Sequence, residues 1–430
     1  MKRIWLAAVL ALLCAAGAAL WLLLPGSAAP QDLQPEAGRD YARADLAYDE
    51  GLRTLRGRET IIADNRSGAD LEEIVLRLPM NALDGAGMDV TGVTVNGEAA
   101  GSAQDADDPT VLRIARAWPK EERVTIGFTL MVKHPQAEGA AAITLPYLAM
   151  AEGGAWRTDA YDGLADRGYA RAFDFSVTVD GVCAASMRGA RDMSFALAQG
   201  CAVRSRQTGG VTLTAYARTA GRARSLLDAG ETAIASLAKA GLPYPFPALT
   251  LADAQTARRE GLPLSGLIVL DAQADRETLI RRVTRLAARQ IFGIYVESDP
   301  WNAPWLSESL AAAAEMLACR ARRGTAAYET RLYEEMEPAF RVTRPYGVTV
   351  GAGTAHFGGD GEMTQVLGDQ GGAMLLGLEA AMGTEAFTDA LTQYIHANAG
   401  GIAAQADLED ALQAASGADW SGYLADGLSQ

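Results

Sequence analysis

The sequence predicts an α+β protein: an antiparallel β-sandwich domain, then a mainly α-helical domain, with an N-terminal transmembrane helix ahead of both. Three observations carry that expectation. Apolar and polar residues alternate from about residue 41 to 218, the spacing turns helical after Thr219, and a long apolar run opens the chain.

Lys2 and Arg3 precede the apolar run Ile4 to Leu24, which Pro25 and Gly26 end. About 21 residues at the helical rise reach roughly 30 Å, the thickness of a bilayer's hydrocarbon core. Trp5 and Trp21 sit near its two ends, where interface anchors belong. Residues 1–26 therefore read as a signal anchor, or as a signal peptide if the Gly-Ser-Ala-Ala that follows is cut. In both readings the positive flank stays cytoplasmic and the rest is exported. The expected location is the cell membrane, single-pass with the bulk extracytoplasmic, or secretion after cleavage. Residues 27–40 form a short polar tether.

Residues 41–218 are expected to be the β domain. Val124, Ile126, Phe128 and Leu130 alternate with polar neighbours, as do Phe173, Phe175, Val177 and Val179, then Val211, Leu213 and Ala215. Asn96-Gly97 marks a tight hairpin, because both residues tolerate positive φ. Residues 219–430 form the second domain. Its expected helices fall near 220–241, 276–293, 304–323, 326–337, 370–382, 384–398 and 405–416, punctuated by Gly383, Gly400 and Gly417. Apolar runs at Ala248–Leu251 and Leu267–Leu270 are its two expected strands.

A formal charge of −15 over 430 residues, with no basic stripe, excludes nucleic acid as a partner. Four cysteines are too few for a disulfide-built scaffold. Cys14 and Cys319 read as buried thiols, whereas a bridge between Cys183 and Cys201 is left open by their spacing.

The chemistry-bearing region is the helix that ends Arg285-Leu-Ala-Ala-Arg289-Gln-Ile-Phe-Gly293, followed by Trp301-Asn-Ala-Pro-Trp305-Leu-Ser-Glu308. This pair of segments resembles the zinc aminopeptidase family (membrane alanyl aminopeptidase, or aminopeptidase N-like gluzincins). There the helix carries HExxH followed by Gln-Trp-Phe-Gly, and a Trp-Leu-Asn-Glu segment supplies the third zinc ligand. Gln290, Phe292 and Gly293 match the first motif, and Trp305, Leu306 and Glu308 the second. The interval from Arg289 to Glu308 equals the family's own. The resemblance extends to Tyr41–Leu83 and Arg191–Leu197, which look like the family's β domain, and implies a thermolysin-like second domain.

That register places Arg285 and Arg289 at the two histidine positions, Leu286 at the catalytic glutamate and Glu308 at the remaining ligand. Glu260 to Gly266 resembles the family's Gly-Gly-Met-Glu-Tyr-Pro-Gly segment. It puts Gly261 in the substrate segment and Pro263 where a glutamate would hold a substrate's amino terminus. Asp369 falls at the transition-state tyrosine. Zinc hydrolysis needs neutral imidazoles and a carboxylate around an open water position. Arginine stays protonated and repels a dication, and leucine takes no proton from water. His134, His356 and His396 have no ligand partner at helical spacing.

The resemblance thus implies an inactive aminopeptidase-like protein, a pseudopeptidase without the family's zinc. Peptide or protein binding, or scaffolding beside a membrane-protein partner, would remain. The alternative is an active metallo-aminopeptidase with an unusual site. Glu308 is expected to pair with one of the two arginines, replacing a metal bridge by an ion pair. Trp301 and Trp305 read as core residues, and the glycine-rich stretch 351–361 as a loop near the cleft rim.

Overall fold

Strict alternation builds the N-terminal half of the computed structural model, which describes residues 32–83, 85–134, 140–159, 169–198, 200–256, 258–336 and 347–429. Strands β1 (Tyr41–Asp49), β2 (Thr54–Asp64), β3 (Ile74–Arg77), β4 (Gly87–Val95), β5 (Glu98–Ala99), β6 (Ser102–Gln104) and β7 (Val111–Ile114) come first. They are followed by β8 (Arg123–Lys133), β9 (Ala141–Leu145), β10 (Tyr147–Leu148), β11 (Met150–Glu152), β12 (Ala155–Arg157), β13 (Phe173–Val179), β14 (Val182–Ala190) and β15 (Met193–Leu197). A seven-stranded sheet runs β14-β13-β1-β2-β8-β4-β5, and a four-stranded sheet runs β10-β3-β7-β6. Leu55, Ile61, Ile126 and Leu130 of the first sheet share one core with Ile74, Leu76, Leu112 and Ile114 of the second. The large sheet is not wholly antiparallel as expected, because β1 pairs with β13 in parallel. Asn96 and Gly97 do turn the β4–β5 hairpin, at φ 54° and 84°.

One carboxyl interrupts the apolar face. Glu59 stands between Ala44 and Phe128 on the flanking strands and is 1% exposed. Neither of its oxygens has a hydrogen-bond partner among the described residues. Burial alone pushes its pKa well above the usual carboxylate range.

Residues 32–40, expected as part of the tether, are docked on this sheet. Arg43 Nη1 holds both Asp32 oxygens at 2.7 and 2.6 Å, Leu33 N donates to Ser176 Oγ at 2.7 Å, and Arg188 pairs with Glu36 at 2.6 Å. The expected transmembrane run Ile4–Leu24, residues 27–31 and Cys14 lie outside the described residues. Among the described residues no helix is long and apolar enough to cross a membrane. Cys183, Cys201 and Cys319 are free thiols.

The second half opens with β16 (Ala202–Thr208) and β17 (Val211–Ala217), then α1 (Ala220–Lys239), β18 (Ala248–Asp253), β19 (Leu262–Leu264) and β20 (Leu267–Leu270). Their sheet order is β16-β17-β18-β20-β19. The sequence reading ended the β domain at residue 218, but β17 pairs in parallel with β18. The hairpin β16–β17 therefore belongs to the second sheet; alternation identifies a strand and does not choose its neighbour. Helices α2 (Arg276–Gln290), α3 (Pro304–Arg323), α4 (Thr325–Arg331), α5 (Gly371–Met382), α6 (Thr384–Ala397), α7 (Gln405–Ser416) and α8 (Ser421–Leu428) complete the chain. Strand β19 and helix α8 were not expected.

Candidate functional site

Helix α2 begins at Asp275, whose side chain accepts from Glu277 N and Thr278 N at 3.0 Å each. Leu279, Ile280, Val283, Leu286 and Ala287 bury one stripe of it. Gln290 staples its last turn to the β19–β20 hairpin, with Nε2 donating to Leu264 O at 2.7 Å and Leu267 O at 3.1 Å. Its Oε1 accepts from Tyr244 at 2.5 Å. The glutamine of the motif is thus a structural residue here. Phe292 stacks on Tyr394 in the π-helical turn that follows.

Arg285 and Arg289, one turn apart, lie on the side of α2 that meets α3. Pro304 starts α3, Trp305 and Leu306 are buried in the core, and Glu308 is 4% exposed. Arg289 Nη2 lies 2.9 Å from Glu308 Oε1, as the expected ion pair requires. A third arginine joins them. Arg258 Nη2 donates to the same oxygen at 3.0 Å while its Nε reaches Asp360 Oδ1 at 2.8 Å. Arg259 N donates to Asp360 Oδ2 at 2.9 Å, so the 258–259 loop is clamped to the helical turn Asp360–Met363. The glycine-rich segment does border the site, through Asp360.

Burial would raise the Glu308 pKa, but Arg289, Arg258 and Arg285 outweigh it and hold the carboxyl below its usual range. Arg285 turns away toward Asp369, with Nη1 4.0 Å from Oδ1. Gly368 makes room for it, since a Cβ there would overlap the guanidinium. Burial raises the Asp369 pKa, and Arg285 and Arg281 only partly offset this.

Leu286 is packed in the core beside Gly261. Gly261 has φ 115°, and a Cβ would overlap Val269 O, Leu270 Cβ and Leu286 Cδ1, so glycine is required on both counts. Pro263 is the centre of the edge strand β19, opposite Ile268. Thr250 N donates to Gly266 O at 2.8 Å, which turns Ile268 toward β18 and Leu267 and Val269 toward β19. Their partners Leu264 and Leu262 exchange the ladder bonds, and Pro263 faces the open edge. Proline has no N–H, so the centre of that edge presents no donor.

Trp301 and Trp305 are buried, and Trp301 meets Tyr169 edge-on at 5.9 Å. His134 bonds the Tyr48 hydroxyl at 3.1 Å in the β domain, while His356 and His396 lie on separate helical elements. Among the described residues no group of three His, Cys, Asp or Glu is placed to hold a metal ion. The donors at the α2–α3 junction do not fit zinc: two helix positions carry guanidinium groups, and the carboxylate is held by two cations. Arg258 and Asp360 were missed by sequence reasoning. They lie on a loop and a short helical turn about a hundred positions apart, and no periodic pattern links them.

The fold is that of the M1 peptidases. The crystal structure of the M1 zinc metallopeptidase from Deinococcus radiodurans superimposes with a TM-score of 0.62 at 16% identity, covering 91% of this chain and 93% of that one. An alanine-substituted mutant of that enzyme, bound to a Tyr-Ser-Ala substrate, matches with the same TM-score at 17% identity, covering 91% and 93%. Residues 266–424 match the Peptidase family M1 domain. Over those residues the chain is similar to an M1 peptidase domain, in agreement with the zinc aminopeptidase resemblance read from its motifs. No curated protein matches it by sequence.

Proposed function

We propose that this protein is a non-catalytic, membrane-anchored member of the zinc aminopeptidase family, which uses the peptidase architecture as a protein-binding scaffold. The observation that carries this reading is the Arg289–Glu308–Arg258 cluster. It joins α2, α3 and the 258–259 loop by buried ion pairs where the family resemblance places a metal. A general base is missing as well, since Leu286 is packed apolar. Pro263 favours a protein partner over an extended peptide, because strand addition at β19 would lack its central donor.

The test is metal content and aminoacyl-reporter hydrolysis on the purified full-length chain in detergent. No bound zinc and no turnover are expected; about one zinc equivalent with turnover overturns the proposal. A converse variant checks the positions themselves. Arg285→His with Leu286→Glu and Arg289→His is expected to bind zinc, read by competition with a colorimetric chelator. A folded triple variant without zinc affinity would mean that these positions do not form the family's ligand set.

A further inference from the structure

Three of the five large apolar side chains exposed among the described residues lie at one end of the seven-stranded sheet. Leu52, 57% exposed, is in the β1–β2 turn, and Val182, 47% exposed, opens β14. The two turns touch, with Tyr48 N donating to Asp180 Oδ1 at 3.1 Å. Leu83, 44% exposed, precedes β4, whose first residue Gly87 pairs with Lys133, which also pairs with Thr54 beside the β1–β2 turn. Scattered surface leucines need no explanation, but convergence on neighbouring turns does.

The chain's own path supplies the occupant. Glu36 pairs with Arg188 near the far end of β14, whereas Asp32 pairs with Arg43, which stands opposite Ser176, itself opposite Ser186, in mid-sheet. Traced backward, the segment therefore runs toward the turns. From the Arg43 level to Asp49 is about 20 Å at the strand rise. The interval from Leu24 to Asp32 extends at most about 29 Å. An embedded run ending at Leu24 thus leaves this end of the domain little room to stand clear of the bilayer.

We infer that the Leu52, Val182 and Leu83 end of the β domain rests on the lipid surface. The inference rests on the membrane-anchor reading above. Acidic Asp49, Glu50 and Asp180 outnumber Arg53 and Lys133 around these turns, so contact is by shallow apolar insertion and not by attraction to anionic headgroups. The peptidase domain then points away from the membrane. It joins the opposite end of the sheet, where Arg191, just past β14, donates to Ile294 O at 3.1 Å. The 11 residues of β2 separate the two levels by about 35 Å.

The test uses the full-length chain in uncharged phosphatidylcholine vesicles, with one fluorescent amino acid replacing Leu52, Val182 or, as the distant reference, Tyr423 on α8. Lipids brominated on the acyl chains should quench the first two at least roughly threefold more than the third. Equal quenching at all three sites, in a chain that still floats with the vesicles, overturns the orientation and leaves the anchor standing. A burial signal at Leu52 and Val182 that ignores the brominated lipid points to a protein contact and overturns it too. A chain that does not float removes the anchor, and this inference with it.

Discussion

Glu59 in the β domain and Glu308 in the second domain are both almost completely buried, at 1% and 4% exposure, and their surroundings drive them in opposite directions. Glu59 has an alanine and a phenylalanine beside it on the flanking strands, and burial pushes its pKa well above the usual carboxylate range. Glu308 has two guanidinium groups on one oxygen and stays ionised. Burial alone does not set the charge of a carboxyl. The partners that the fold brings to it do.

Removal of Glu308 should have the largest effect. Glu308→Ala leaves Arg289 and Arg258 without their shared anion, and should destabilise the protein by about 3–5 kcal/mol in urea unfolding. A neutral effect would mean that the cluster is solvated. Removing Glu59 should act with the opposite sign, since Glu59→Met replaces an unpartnered carboxyl by an apolar chain of similar length. A gain of about 1–3 kcal/mol at pH 8 is expected from thermal unfolding.

The pH dependence separates the two carboxyls further. A folded pKa raised above the unfolded value means that the Glu59 contribution is full below the unfolded carboxylate pKa, about 4.3, and is lost as pH rises above it. The advantage of Glu59→Met should therefore shrink toward pH 4. Glu308 is the reverse: its contribution is present above that pKa and is lost as pH falls below it. Parallel pH profiles for the two variants would refute the assignment of charge.

Two smaller effects sharpen the contrast. Gln290→Leu strips uncharged hydrogen bonds from Leu264, Leu267 and Tyr244, and should destabilise by about 2 kcal/mol with little pH dependence. Asp369→Asn should change stability by less than about 1 kcal/mol, because the 4.0 Å contact with Arg285 is long and one-third of the Asp369 side chain is exposed. A loss as large as that of Glu308→Ala would give Arg285 a partner's role that its geometry does not suggest.

What was legible in the sequence follows from which interactions repeat along a chain. The helices from Ala220 to Ser416 showed in their spacing, and the β4–β5 turn showed in Asn96-Gly97. The Arg289–Glu308 pair was legible too, because the interval between the two motif segments equals that of the family they resemble and fixed their register. Arg258, Asp360 and the burial of Glu59 were not. An arginine in a loop carries no periodicity, and the alternation of β2 counts Glu59 as one more residue without saying which neighbours seal it from water. The parallel partners of β1 and β17 were hidden for the same reason, since pairing across long intervals leaves no local mark.

The pairing of β17 with β18 also governs how the molecule can be cut. A fragment begun at Thr219, where the helical spacing starts, would leave the backbone edge of β18 bare and uncover the side of α1 that packs on Leu213. Such a piece would be a template for self-association. A soluble fragment of the second half has to begin ahead of Ala202, so that it keeps the hairpin that seals its sheet.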